Sequence, residues 1–141
     1  MQNYQNHRRY HAPFHFILAP LLFLHLIYTI VRVVQEPALD RAENVLLALV
    51  LIGILLIARM NALKVQDRVI RLEEQVRYSR LLPKDLAFQA ENMPLKQILA
   101  MRFASDAELP ALIARALGGE TQKPDDIKRS VNNWRADELR V

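Results

Sequence analysis

The chain contains no cysteine. That absence removes in one step a disulfide framework, a thiolate zinc site, thiol catalysis and thioether attachment of haem. Glycine is nearly absent too, at 3 residues in 141, so the sequence holds no Gly-rich phosphate loop and cannot be collagen-like. Proline stands at 7, too few for broad Pro-rich disorder. Ser79, Ser105 and Ser130 have no base beside them in sequence, and the carboxylates fall next to helical cations or at helix starts rather than as a catalytic pair. The expectation is a non-enzymatic protein in which no motif calls for a cofactor.

What is present is apolar sequence, unevenly placed. The averages, 52% hydrophobic and 24% charged, conceal an apolar first half and a charged second half. From Phe14 to Val34 the chain is apolar but for His15 at its start, His25, the mild polarity of Tyr28 and Thr29, and Arg32, which can snorkel at the end. A bilayer core of about 30 Å needs roughly 20 helical residues, so this stretch is a plausible span, with a kink expected at Pro20. The second run, VLLALVLIGILLIA from Val45 to Ala58, is uninterrupted but reaches only about 21 Å as a helix. Glu43 and Arg59 can extend outward from its ends, and no polar face is available for a soluble setting.

Lysine and arginine set the orientation, because positive charge stays on the cytoplasmic side. Arg8 and Arg9 precede the first run. Arg59, Lys64, Arg68, Arg71, Arg77, Arg80 and Lys84 follow the second, whereas the connector holds Arg41 against Glu36, Asp40 and Glu43. Both ends are therefore expected in the cytoplasm. No small-x-small cleavage site follows the first run, so a signal peptide is not expected.

The predicted organisation is an all-α membrane protein: a basic tail over 1–13, a first transmembrane helix over 14–34, an external turn over 35–44 with Asp40 as N-cap, and a second transmembrane helix over 45–63. A cytoplasmic helical rod over 64–82 and a small helical module over 83–141 complete it. The rod repeats apolar residues at Ala62, Val65, Val69, Leu72 and Val76, the 3-4 spacing of a packing seam, flanked by the helical pairs Asp67–Arg71 and Glu73–Arg77. The seam can bind a partner helix, form a dimer or pack on the chain's own module. In that module Pro94 is expected to open a helix carrying Leu95, Ile98, Leu99 and Phe103. Ser105 and Glu108 form a capping box ahead of Leu109 and Leu112, Gly118 and Gly119 stop that helix, and a last helix from Pro124 places Ile127, Val131 and Trp134 on one face.

Four blocks taken in order, QNYQNHRRYHAPFHF, ALKVQDRVIRLEEQVR, MRFASDAELP and IKRSVNNWRADELRV, resemble a bacterial family of small two-span inner-membrane proteins of unknown function. The resemblance implies a helical hairpin in the bacterial inner membrane with a cytoplasmic tail. It implies no reaction and supplies no catalytic residue. Members are sometimes labelled as transporter permeases, but two spans enclose no pathway without oligomerising.

Histidine offers the remaining candidate chemistry. His7, His11 and His15 recur every four residues, as metal ligands on a helix would, although Pro13 interrupts them; beside Arg8 and Arg9 they also suit anionic headgroups. His25 lies in the middle of the first run, where an ionisable residue meets protein, a polar group or a cofactor. It could ligate haem or a pigment if a second copy supplied the other ligand, or hydrogen-bond to Thr29. The expected partners are the lipid bilayer with its anionic headgroups and a protein partner or second copy, with no nucleic acid. The function so read is an accessory, assembly or scaffolding subunit, with a haem- or pigment-binding subunit or an ancillary transporter subunit as alternatives.

Overall fold

A computed structural model describes residues 3–6, 10–120 and 123–137. The described chain is helical apart from one isolated bridge. It divides into two compact units, one within Tyr10–Leu63 and the other within Lys64–Arg140, to which residues 3–6 also belong.

The first unit begins with a π-helical segment, Pro13–Leu18, that runs into α1, Ala19–Gln35. The wide turn is explicable from Pro20, which has no N–H to return and whose ring would collide with the carbonyl four residues before it. The Ala19 N–H therefore reaches back five residues to Phe14. The second long helix, α2, covers Leu39–Leu81 without a break. It starts earlier than the apolar run alone suggested, and Asp40 sits inside its first turn rather than capping it, where a carboxylate suits the positive helix end.

Between these helices Arg41 is the clip. Its guanidinium donates to the Glu36 carbonyl at 2.8 Å and the Arg32 carbonyl at 3.4 Å. The Glu36 carbonyl at the helix end thereby gains a donor, the Arg32 carbonyl shares Arg41 with the Glu36 N–H at 3.2 Å, and an ion pair with the Glu36 side chain holds the clip in place. At the other end, Arg59 lies 5.6 Å above the Phe14 ring, so the start of the first helix and the end of the apolar part of α2 are neighbours. The continuous helical stretch Pro13–Gln35 and α2 are each long and apolar enough to cross a membrane. Among this unit's described residues only Thr29 and Ala48 are buried, both small.

The second unit folds on the charged part of α2. Among the described residues four short helices follow Pro83: α3 Lys84–Glu91, α4 Leu95–Met101, α5 Leu109–Leu117 and α6 Pro124–Ser130. Each begins at or beside a proline, whose fixed φ suits a first turn and whose missing N–H costs nothing there. The α5 helix ends in a Schellman motif. Gly119 takes a φ of 85°, open to a residue without Cβ, while the Gly119 and Glu120 N–H groups donate to Ala116 and Arg115 at 3.3 and 3.1 Å.

Three sequence expectations need correction. The helix α3 was not foreseen. The α4 helix stops at Met101, so Phe103 lies beyond it. The last helix stops at Ser130, and Trp134 lies in an extended segment bridged to Ala104. There the Ser105 N–H donates to Asn133 and the Arg135 N–H to Phe103, at 3.1 and 2.8 Å. Tyr78, Leu82, Ala90, Ile98, Met101, Leu109, Ile113 and Ile127 are among the buried residues of the core, and Trp134 packs against its edge.

Candidate functional site: two faces of the second long helix

Beyond Lys64, α2 has two unlike faces. Ile70, Glu74, Arg77 and Tyr78 are buried under the module. Their spacing of four, three and one keeps them on one side of a helix. Val65, Val69, Leu72 and Val76, the predicted seam, are 60%, 47%, 62% and 51% exposed. The helix thus packs on its own module through a mixed polar and apolar face and leaves the more apolar one about half exposed, bordering a cleft that Arg102, Arg135 and Asp137 also line.

The buried face is organised by Arg77. Sequence spacing paired it with Glu73, but the guanidinium turns inward. It donates to Asp106 at 2.8 Å through Nε, to the Ala104 carbonyl at 2.7 Å and to Glu74 at 3.2 Å. Glu74 also meets Arg135 at 3.4 Å. Burial pushes the Glu74 carboxyl above its ordinary range, and Arg77 and Arg135 offset part of that push. Tyr78 is fully buried and its hydroxyl has no hydrogen-bond partner among the described residues. Burial, with Glu74 beside it, pushes the phenol strongly upward and keeps it neutral. Similarly, Arg71 is not paired with Asp67 but donates to the Glu91 carbonyl at 3.5 Å.

The extended segment after α6 closes this face. Glu108 accepts the backbone N–H groups of Ser105, Asn132 and Asn133 at 3.1, 3.1 and 3.2 Å. This is one half of the expected capping box, extended across the fold; the Ser105 hydroxyl makes no bond among the described residues, and α5 starts only at Leu109 because Pro110 suits its first turn. Arg102 donates to Asp137 at 2.8 Å and lies 4.1 Å above the Phe103 ring. Trp134 stacks on Phe103 at 4.7 Å and donates its indole N–H to Val131 at 3.1 Å.

The histidines fall elsewhere. His7 lies outside the described residues. His11 precedes the helix, and its carbonyl lies 3.0 Å from Nδ1 of His15. The His15 ring packs edge-on against Tyr10 and Phe14 at 5.3 and 4.9 Å. Among the described residues no group of three or more His, Asp or Glu is arranged to hold a metal ion. His25 is exposed and borders a cleft of about 330 Å³ with Tyr28, Thr29, Arg32, Asp40, Arg41 and Asn44, a lining without a second histidine. The Thr29 hydroxyl donates to the Leu26 carbonyl at 2.9 Å, not to His25.

The sequence pattern of a family of unknown function, DUF6526, matches residues 1–141, and the chain belongs to that family. No curated protein and no solved structure matches it.

Proposed function

We propose that this is a non-enzymatic integral membrane protein of the bacterial inner membrane, with both ends cytoplasmic, that serves as an assembly or scaffolding subunit of a larger membrane complex or homo-oligomer. The observation that carries the reading is the half-exposed row Val65, Val69, Leu72 and Val76 on a helix whose opposite face is already occupied by its own module. Apolar surface is stabilised by removal from water at about 25 cal/mol per Å², and four such side chains on one stripe form a contiguous patch of the kind that marks an interaction site.

Insertion is supported by the hairpin: the most apolar window of each helix is only 6% buried within the protein, so lipid is the natural cover for those side chains. The cytoplasmic orientation rests on the arginines and lysines that follow Ala58. Anionic headgroups fit the same charges.

The test compares two variants purified from native membranes in mild detergent. Val69→Asp with Leu72→Asp should still insert and keep its module folded, since neither side chain belongs to the buried face, but should lose its oligomer or co-purifying proteins. Glu36→Ala with Asp40→Ala, in the turn and the first turn of α2 beside it, should retain them. The opposite result would move the assembly surface to the turn and end this reading.

A further inference from the structure

We infer that the seam of α2 is completed by a second copy of the same chain, lying parallel and in register. The inference rests on the reading of the seam as an assembly surface and adds the identity and direction of the partner.

The register follows from the spacing. With Val69 and Val76 as a positions, Val65 and Leu72 fall at d. The buried residues then take the outer positions: Ile70 and Arg77 at b, Glu74 at f and Tyr78 at c. The module therefore sits on the side of the helix that a two-stranded coil leaves outward, while the a and d side chains stay about half exposed, with Val69, Leu72 and Val76 bordering a cleft of about 580 Å³ that Arg135 and Asp137 of the module line as well. β-branched residues at a with leucine at d favour two parallel strands over higher orders. Here Val occupies both a positions and Leu72 the central d.

Charge decides the direction. Arg68 falls at g and Glu73 at the following e, and both are exposed. In a parallel pair each g faces the e five residues further along the partner, so Arg68 meets Glu73 of the other copy, and the two-fold axis makes that contact twice. An antiparallel pair sets g against g and e against e, leaving Arg68 opposite Gln75 and Glu73 opposite Gln66, where neither gains a counter-charge. Two copies held by the same hairpin enter the cytoplasm in the same direction, which also selects the parallel pair. The seam spans fewer than two heptads and would be weak between free helices. Confinement to one membrane raises the effective concentration that a short seam needs.

The absence of cysteine makes the test direct, because any introduced thiol is the sole one in the chain. Val65→Cys and Val76→Cys, each alone, should form disulfide dimers on mild oxidation of membranes containing the full-length protein. Arg71→Cys, at an outward c position, should not. If Val65→Cys and Val76→Cys cross-link only when mixed, the helices are antiparallel and the inference fails.

Arg68→Glu or Glu73→Arg alone should lower the yield at Val76→Cys about tenfold, through two like-charge contacts, and the combined exchange should restore it. Failure of the exchange to restore would overturn the register. Fluorescence of Trp134, the single tryptophan, reports that each variant keeps its module folded. If no variant cross-links to itself while Val69→Asp with Leu72→Asp still strips another protein, this inference falls and the scaffolding reading stands.

Discussion

Arg77 reaches Glu74 across 3.2 Å where their side chains are only 9% and 3% exposed. Both side chains belong to α2, and each reaches the module separately, Arg77 through Asp106 and the Ala104 carbonyl and Glu74 through Arg135. Two charges in such a place are held by each other and by the hydrogen bonds around them, since water supplies neither with a counter-dipole.

Arg77→Met should consequently destabilise the module by about 3 kcal/mol, the lower end for breaking a buried pair because Arg135 still faces Glu74. The loss should depend on pH. Burial raises the Glu74 pKa above its ordinary value, so folding disfavours its charged form relative to the unfolded chain. Its contribution is therefore fully present below the unfolded value and falls as pH rises through the folded one. Removing Arg77 raises the folded value further and widens that window upward. Thermal unfolding of full-length protein in detergent, followed by Trp134 fluorescence, should show a smaller defect in acid than at neutral pH. Adding Glu74→Gln to Arg77→Met should flatten the dependence. An equal defect at every pH would mean that Glu74 does not sense Arg77.

Trp134→Ala removes a ring stacked on Phe103 and an indole hydrogen bond to Val131. The side chain is only partly buried, so the loss should be about 2–3 kcal/mol, under the range for a sealed tryptophan. Trp134→Phe keeps a ring in place and should lose about 1 kcal/mol with the hydrogen bond. Protease protection of the module, measured across a denaturant series, should rank wild type above Phe above Ala. Protection unchanged in Trp134→Ala would mean that the ring contributes nothing to the core.

Orientation can be read from single cysteines as well. A thiol at Gln5 or Lys96 should react with an impermeant reagent only when the cytoplasmic face is opened, and one at Ala38 should react from outside in intact cells. Were Ala38 and Lys96 to label from the same side, the second helix would not cross.

The sequence made the helix starts legible because proline leaves few alternatives. Pro94 and Pro124 open helices where expected, and Gly118–Gly119 ends one. The apolar seam was equally readable from its 3-4 spacing. Its counterpart was hidden, because the face that does pack on the module carries Glu74 and Arg77, residue types that ordinarily point to water. Trp134 misled for a related reason. Ile127, Val131 and Trp134 fit a helical stripe, yet the Asn132 and Asn133 amides are taken by Glu108, 24 and 25 residues earlier in the chain. A contact of that separation competes with the local helix and leaves no local trace. The helix α3 could have been found from Pro83 followed by Asp85 in a first turn and Leu86, Ala87 and Ala90 at helical spacing.

The carboxylate of Glu108 gathers amides from both ends of the α5–α6 region, and this sets an order of events during synthesis. At translation rates of about 5–20 residues per second, α2 is complete seconds before the segment Val131–Asp137 exists. Until then Glu74 lacks its Arg135 contact and Phe103 lacks the Trp134 ring that stacks on it. The nascent chain thus passes through an interval in which the side of the rod destined for its own module is closed only by partners made earlier, Asp106 and the Ala104 carbonyl on Arg77. Whichever face meets a neighbour first during that interval decides between native closure and misassembly.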